Sequence, residues 1–210
     1  MEKHSTYFDF LDAFKGKGCP VCFLVKRRIH KFMENLLYEN VNDSVVRKKI
    51  REGLGFCNLH SWQLQKFGDG LGLSIIYEDL FNTIKDKIKK SINKKLDMKL
   101  DCLICKEKKD AEKIFVSSFI EYFNDREFNS SFRSSFGLCL PHFLSTVKYC
   151  KNKNIIVELC EIEIEKIDSL VKELSEFQRK HDYRFSNESF GKEKDSWIRA
   201  IEKMTGKEGI

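Results

Sequence analysis

Eight residues of this chain are of the right types and spacing to bind a metal. Cys19-Pro20-Val21-Cys22 is followed, thirty-five residues after Cys22, by Cys57-Asn58-Leu59-His60. Cys102-Leu103-Ile104-Cys105 is followed at nearly the same distance by Cys139-Leu140-Pro141-His142. Each set reads C-x-x-C and then C-x-x-H, which supplies three thiolates and one imidazole. Zinc takes such ligands in a tetrahedron, and Cys₃His is one of its structural sets. Four protein ligands leave no open position, so each set reads as a structural zinc site. The expected sites are Cys19, Cys22, Cys57 and His60 for one ion, and Cys102, Cys105, Cys139 and His142 for the other. Pairing within a set closes the shorter loop; joining the C-x-x-C of one set to the C-x-x-H of the other is the alternative.

Two other chemistries compete for these residues. An iron–sulfur cluster is the alternative cofactor, although such clusters mostly take four cysteines. Redox catalysis is suggested by Cys19-Pro20-Val21-Cys22, but thioredoxin-like C-P-x-C motifs follow a strand. Here a glycine-rich turn precedes the motif, the second copy lacks the proline, and Cys57 and His60 would be left without a role. Cys150 and Cys160 read as small apolar core residues. His4, His30 and His181 have no ligand-like partners in the sequence and read as surface or capping residues. Gly68-Asp69-Gly70-Leu71-Gly72 has neither the preceding strand nor the following acid of a dinucleotide loop. No Ser-His-Asp arrangement, H-E-x-x-H helix or isolated carboxylate pair is present, so no catalytic or cofactor-binding residue is assigned.

The elements that must position the ligands are helices. Phe8, Phe10, Leu11 and Phe14 share one side of a short segment, Tyr7 to Phe14, that Gly16 and Gly18 end. Cys19 then falls at an N-cap with Pro20 at the first helical position, where its missing N–H costs nothing. Helices are expected from Val21 to about Tyr38, from Ser44 to Arg51 behind an Asn42 or Asp43 cap, and from Cys57 to Phe67. After a turn at Gly68, Gly70 and Gly72 a long helix runs from about Leu73 to Lys94, with isoleucine or leucine every four residues. Lys94 to Asp101 is a polar connector. The pattern then restarts at Cys102 and ends in a helix from about Ile155 to Arg179. Ile162-Glu163-Ile164-Glu165 alternates like a strand, but its flanks keep the helical period.

The repeat extends beyond the ligands. Glu39 to Asp43 matches Glu121 to Asp125 at an offset of 82, which also relates Cys57 to Cys139 and His60 to His142. Cys19 and Cys102 differ by 83. Duplication at this length implies two copies of one helical unit related by a pseudo-two-fold axis. The expected divisions are 1–95 and 96–180 for the two zinc repeats and 181–210 for the tail.

The composition fits an all-α chain. Hydrophobic residues make up 41% of 210, and glycine and proline are scarce, with 11 and 2 respectively. The net charge of +6 comes from 38 basic and 32 acidic residues, so both signs cover the surface. Lys85 to Lys109 holds ten lysines against four acids. With no interleaved aromatics it reads as a solvated face, and nucleic-acid binding is only weakly supported. No apolar run is long enough for a membrane span and no signal peptide opens the chain. Eight cysteines without such a signal point to metal chemistry and a cytoplasmic location.

The tail departs from both repeats. Tyr183, Phe185, Phe190 and Trp197 lie among Asp182, Arg184, Asp195 and Arg199, and Asp195 or Ser196 can cap a last helix. So many rings argue against disorder. The segment reads as a strap whose rings fill a groove across the two repeats while Arg184 and Arg199 pair with acids; a recognition surface is the other reading. The paired C-x-x-C and C-x-x-H elements, with the Asp-Tyr-Arg-Phe and Asp-Ser-Trp-Ile-Arg-Ala-Ile tail, resemble the prokaryotic domain-of-unknown-function family 6062. The resemblance implies one full-length unit that includes the tail, and it implies no activity. The sequence therefore predicts an all-α protein of two packed, pseudo-repeated helical units, each stapled by zinc, with a C-terminal strap and helix. Its expected role is a scaffold or adaptor for a protein partner. An enzyme using redox thiols or a cleft between the repeats is the alternative.

Overall fold

The structure is a computed structural model that describes residues 3–92, 98–185 and 187–209. Among the described residues there are ten α-helices, two 3₁₀ turns and no strand. The helices are α1 (Ser5–Phe14), α2 (Pro20–Tyr38), α3 (Ser44–Glu52), α4 (Asn58–Gln65), α5 (Gly70–Ser91), α6 (Leu103–Tyr122), α7 (Arg126–Ser134), α8 (Leu140–Tyr149), α9 (Lys153–Lys180) and α10 (Ser196–Thr205). The 3₁₀ turns are Tyr183–Phe185 and Lys192–Asp195. Ile162 to Glu165 lies within α9, as its flanking period implies.

The expected duplication is visible in local geometry. Asp43 caps α3 by accepting from Val46 N at 2.8 Å, and Asp125 caps α7 by accepting from Phe128 N at 3.1 Å. Gly55 and Gly137 both take positive φ, 93° and 82°, just before the second cysteine pair member of each copy. One boundary differs from expectation. Gly70 and Gly72 are helical, because Asp69 accepts from Gly72 N at 2.8 Å and starts α5 there. A side-chain cap on an orphan N–H outweighs the low helix propensity of two glycines at the first turn. The expected end of that helix at Lys94 lies outside the described residues.

The chain forms two compact units, with boundaries inside α2 and α6. One is Met1–Lys26 with Glu112–Ile210; the other is Arg27–Ala111. In the first, α1 packs on α7 through rings. Phe14 meets Phe128 at 4.9 Å between centroids, and Phe119 meets Phe132 at 4.9 Å, both edge-on. Such aromatic pairs each contribute about 0.5–1.5 kcal/mol beyond burial. Buried Tyr7 donates its hydroxyl proton to the capping Asp125 at 2.7 Å. In the second unit α3 packs on α5, where Arg47 and Arg51 both bind Asp79, at 3.0 and 2.9 Å. Ile50, Leu64, Ile76 and Leu80 are buried there.

The tail lies on α9 and α8. Arg184 pairs with Asp182, and Arg199 with Glu173 and Asp195, as expected of a strap. The rings do not fill a groove: Tyr183 is 84% exposed and Trp197 50%. Charge pairs hold the segment instead, with Lys180 donating to Glu193 at 2.7 Å and Lys203 to the buried Glu163. Phe190 stacks on Phe177 and on His181 at the end of α9.

Because Asp125 both caps a helix and accepts from a buried hydroxyl, Asp125→Ala is expected to cost about 2 kcal/mol of stability in chemical denaturation. Asp43→Ala, which removes a cap alone, is expected to cost about 1 kcal/mol. Equal losses would show that the Tyr7 bond contributes nothing.

Candidate metal centres

Both C-x-x-C and both C-x-x-H elements begin helices. Cys19 and Cys102 precede α2 and α6, and their carbonyls accept from Phe23 N and Lys106 N. Cys57 and Cys139 are the N-cap residues of α4 and α8. A helix N-terminus carries a partial positive charge and favours the thiolate. The second member of each pair lies one turn on, so both ligand atoms project from the same end.

The eight residues converge in two groups, and the grouping corrects the expected pairing. Cys19 and Cys22 join Cys139 and His142; Cys57 and His60 join Cys102 and Cys105. Within each group the ligand atoms all lie within 4.8 Å of one another. The C-x-x-C of each copy thus meets the C-x-x-H of the other copy, and each group falls inside one compact unit. The expected pairing rested on loop length, which is a weak force. Closing 117 residues between Cys22 and Cys139 instead of about thirty-five costs only about 1 kcal/mol more, because closure entropy grows with the logarithm of length.

The first group has Cys22 Sγ 3.6 Å from Cys139 Sγ. His142 Nδ1 lies 3.5, 3.3 and 3.2 Å from the sulfurs of Cys19, Cys22 and Cys139. In the second group Cys57 and Cys105 are 3.7 Å apart, and His60 Nδ1 lies 3.1, 3.5 and 3.4 Å from Cys57, Cys102 and Cys105. A tetrahedron with bonds of about 2.3 Å to sulfur and about 2.0 Å to nitrogen has S···S edges of about 3.8 Å and S···N edges of about 3.5 Å. Both groups are close to those edges, so both could hold one metal ion. None of the eight cysteines forms a disulfide.

The protonation energetics of the bare groups show what a cation would resolve. Burial, then hydrogen bonds to Cys139 and Cys22, pushes the Cys19 thiol far up. Hydrogen bonds from Cys139 and then Cys19 pull Cys22 far down. Burial opposes the His142 cation, but hydrogen bonds to Cys139 and Cys22 and the facing carboxylate of Glu112 outweigh it and raise the imidazole to about 11. In the second group burial, then Lys108, lowers His60. Burial and Cys57 push Cys105 up to about 12, whereas the N–H of His60 and the thiols of Cys105 and Cys102 hold Cys57 down against burial. Three adjacent thiolates repel one another, so a few protons must be shared until a dication replaces them.

The two groups differ in cover. All four residues of the first are buried, whereas Cys57 and Cys105 are half-buried. The cover is the end of the tail. Gly206 closes α10 at φ 89°, and a Cβ there would lie 3.2 Å from Cys22 Sγ and 3.6 Å from Cys139 Sγ. Lys26 Nζ donates to the Glu208 carbonyl at 3.1 Å, which pins the following residue pair to α2. His142 Nε2 faces Glu112 Oε1 at 3.8 Å, the kind of carboxylate partner that orients a ligating imidazole. The eight residues named from the sequence are the ones that converge in the two groups, whereas Gly206 and Glu112 were not named. A tail glycine and a mid-helix glutamate carry no local signal for such a role.

Of the other histidines, His181 caps α9 with Nδ1 2.8 Å from the Phe177 carbonyl, and His30 stacks on Phe67. Cys150 is buried and Cys160 half-buried, outside both groups. Among the described residues no helix is long and apolar enough to cross a membrane.

Fold and site together define an all-α protein with two Cys₃His groups built from a duplicated unit. The chain belongs to the family of unknown function DUF6062, whose model matches it twice, over residues 1–100 and 96–209. It is 30% identical over 201 residues to an uncharacterized 23.9 kDa protein in the xynA 3' region of Caldicellulosiruptor sp. (strain Rt8B.4). That similarity covers 93% of this chain and 98% of the relative. No solved structure matches.

The difference in cover predicts two rates of metal release. With two equivalents of zinc bound, a chromogenic chelator is expected to take one ion quickly and the other slowly. Cys57→Ser should remove the fast phase. Gly206→Val should speed the slow phase about tenfold, because a side chain at positive φ against two sulfurs costs about 1–3 kcal/mol. A single phase that Gly206→Val leaves unchanged would show that the tail does not cover the site.

Proposed function

We propose that each group holds one structural zinc ion, and that the chain is a helical scaffold that binds a protein partner. Cys19, Cys22, Cys139 and His142 would hold one ion, and Cys57, His60, Cys102 and Cys105 the other. The observation that carries the reading is the closed ligand set: four protein donors per group, spaced like the vertices of a tetrahedron around one ion. An iron–sulfur cluster would spread its ligands over several irons, further apart than the 3.6 and 3.7 Å between sulfurs. A filled first coordination sphere has no position for water or substrate, which favours a structural over a hydrolytic role. Bound zinc would neutralise two of three thiolate charges, and two helix N-termini would stabilise the remainder.

A structural role for the metal supports a binding role for the protein. The tie at the start of α8 fixes the platform on which α9 and α10 lie, and this platform leaves apolar side chains in solvent. Ile164, Val171, Ile201 and Met204 are each more than half exposed. Contiguous exposed apolar surface of this kind marks interaction sites more often than chance.

Elemental analysis of protein purified without nickel resin is expected to give two zinc ions per chain and no visible absorbance. Cobalt substitution should give the strong visible bands of tetrahedral thiolate coordination. Cys22→Ser combined with Cys139→Ser should lose one zinc and retain the other. Structural zinc contributes on the order of 10 kcal/mol to folding in small domains, so complete removal should lower the melting temperature sharply. An unchanged melting temperature after removal would overturn the structural assignment.

A further inference from the structure

α9 carries two apolar faces. One is buried and holds Ile155, Leu159 and Ile162. The other is a second stripe of Val157, Cys160, Ile164, Ile167, Val171 and Leu174, spaced three and four residues alternately. That is the a/d pattern of a helix made to pack along another helix, with β-branched residues at every a position. Val157, Ile164, Ile167 and Val171 are about half exposed. A pattern sustained over nearly three heptads is not needed for packing on the protein's own core, because the first face already does that.

From Cys160 to Leu174 the stripe forms one wall of a groove of about 370 Å³, completed by Ala200 and Met204 of α10 and by Leu140 and Phe143 of α8. Its charged lining groups, Glu163 and Lys203, are buried and paired with each other. Glu163 also accepts from Leu138 N at 2.7 Å, so the floor is polar-satisfied and rigid. The solvent-side edge of the α9 stripe is acidic. Glu161 and Asp168, both exposed, occupy the two e positions that border the stripe. Pairing this face with itself in a second copy would set acid against acid, which disfavours a dimer through α9.

We propose that the α9–α10 groove binds an amphipathic helix of a partner protein, one with apolar residues at a/d spacing and lysine or arginine along the edge that meets Glu161 and Asp168. The helix lays its apolar stripe into the groove, and the acidic edge sets its sidedness. The inference deepens the scaffold reading above and rests on it.

The test uses the full, zinc-loaded chain and three fluorescent 21-residue peptides: a designed helix with leucine and isoleucine at a and d and lysine at the flanking positions, the same helix with glutamate flanks, and a scramble of the first. Fluorescence anisotropy is expected to show the lysine peptide binding at least tenfold more tightly than either control. Non-specific attraction would run the other way, because the chain's net charge is +6. Ile164→Asp with Ile167→Asp, at exposed positions, should weaken binding at least tenfold while zinc content and melting temperature stay the same. Glu161→Lys with Asp168→Lys should reverse the preference to the glutamate peptide. Equal binding of all three peptides, no binding, or full binding by the Ile164/Ile167 variant would overturn the proposal. So would a concentration-dependent dimer that this variant abolishes, which would assign the face to a second copy. In each case intact zinc content and melting would leave the structural zinc assignment standing.

Discussion

The constraint on which the rest of this structure depends is the meeting of helix N-termini at two points. α2 and α8 start at one Cys₃His group, α4 and α6 at the other. Each helix brings a cysteine just before its first residue and a second candidate ligand one turn later. The helix ends supply the positive potential that three neighbouring sulfurs need. In the bare first group burial drives the Cys19 thiol up while hydrogen bonds from Cys139 and Cys19 drive Cys22 down, so the sulfurs cannot all ionise together. A dication at each point would remove the conflict and fix the direction in which four helices leave. Everything built further along those helices inherits that direction.

The copies have diverged where it matters for the tail. In the first copy a Cβ at Gly55 would meet the side chain of Leu80, and in the second a Cβ at Gly137 would meet Lys166, the carboxylate of Glu163 and Lys203. One position is an ordinary apolar contact. The other is a buried acid that takes the Leu138 N–H and the Lys203 ammonium. A buried ion pair is not a cheap source of stability, because both charges lose water. Its value is positional, since a buried charge has few places to be satisfied. Lys203 therefore sets where α10 lies on α9, and three residues on Gly206 reaches the sulfurs of Cys22 and Cys139. One acidic residue on α9 thus links the tail, the groove and the cover of the first metal group.

How much of this was legible beforehand follows from the range of each interaction. The eight ligands, the Asp43 and Asp125 caps, the helices and their duplication are local or periodic features. A cap acts over three residues, a C-x-x-C over one turn and an amphipathic face over a few turns, so the sequence carried them within a few residues of their ends. The a/d stripe on α9 is equally local and was written in the sequence, but periodicity alone does not say which of two apolar faces is buried.

The tertiary structure alone decided which ligands share a group. Loop closure discriminates between the pairings by only about 1 kcal/mol, and the summed packing of whole helices outweighs it. The tail followed the same rule. Its rings suggested burial, but Tyr183 and Trp197 stay in solvent because ion pairs to α9, with partners 26 and 40 residues away for Arg199 and Lys203, already fix the chain. Composition records how apolar a segment is, whereas which surface receives it depends on distant residues meeting in space. For this protein the sequence determined the candidate ligands and the helices that carry them, and only the packed chain decided which of them meet.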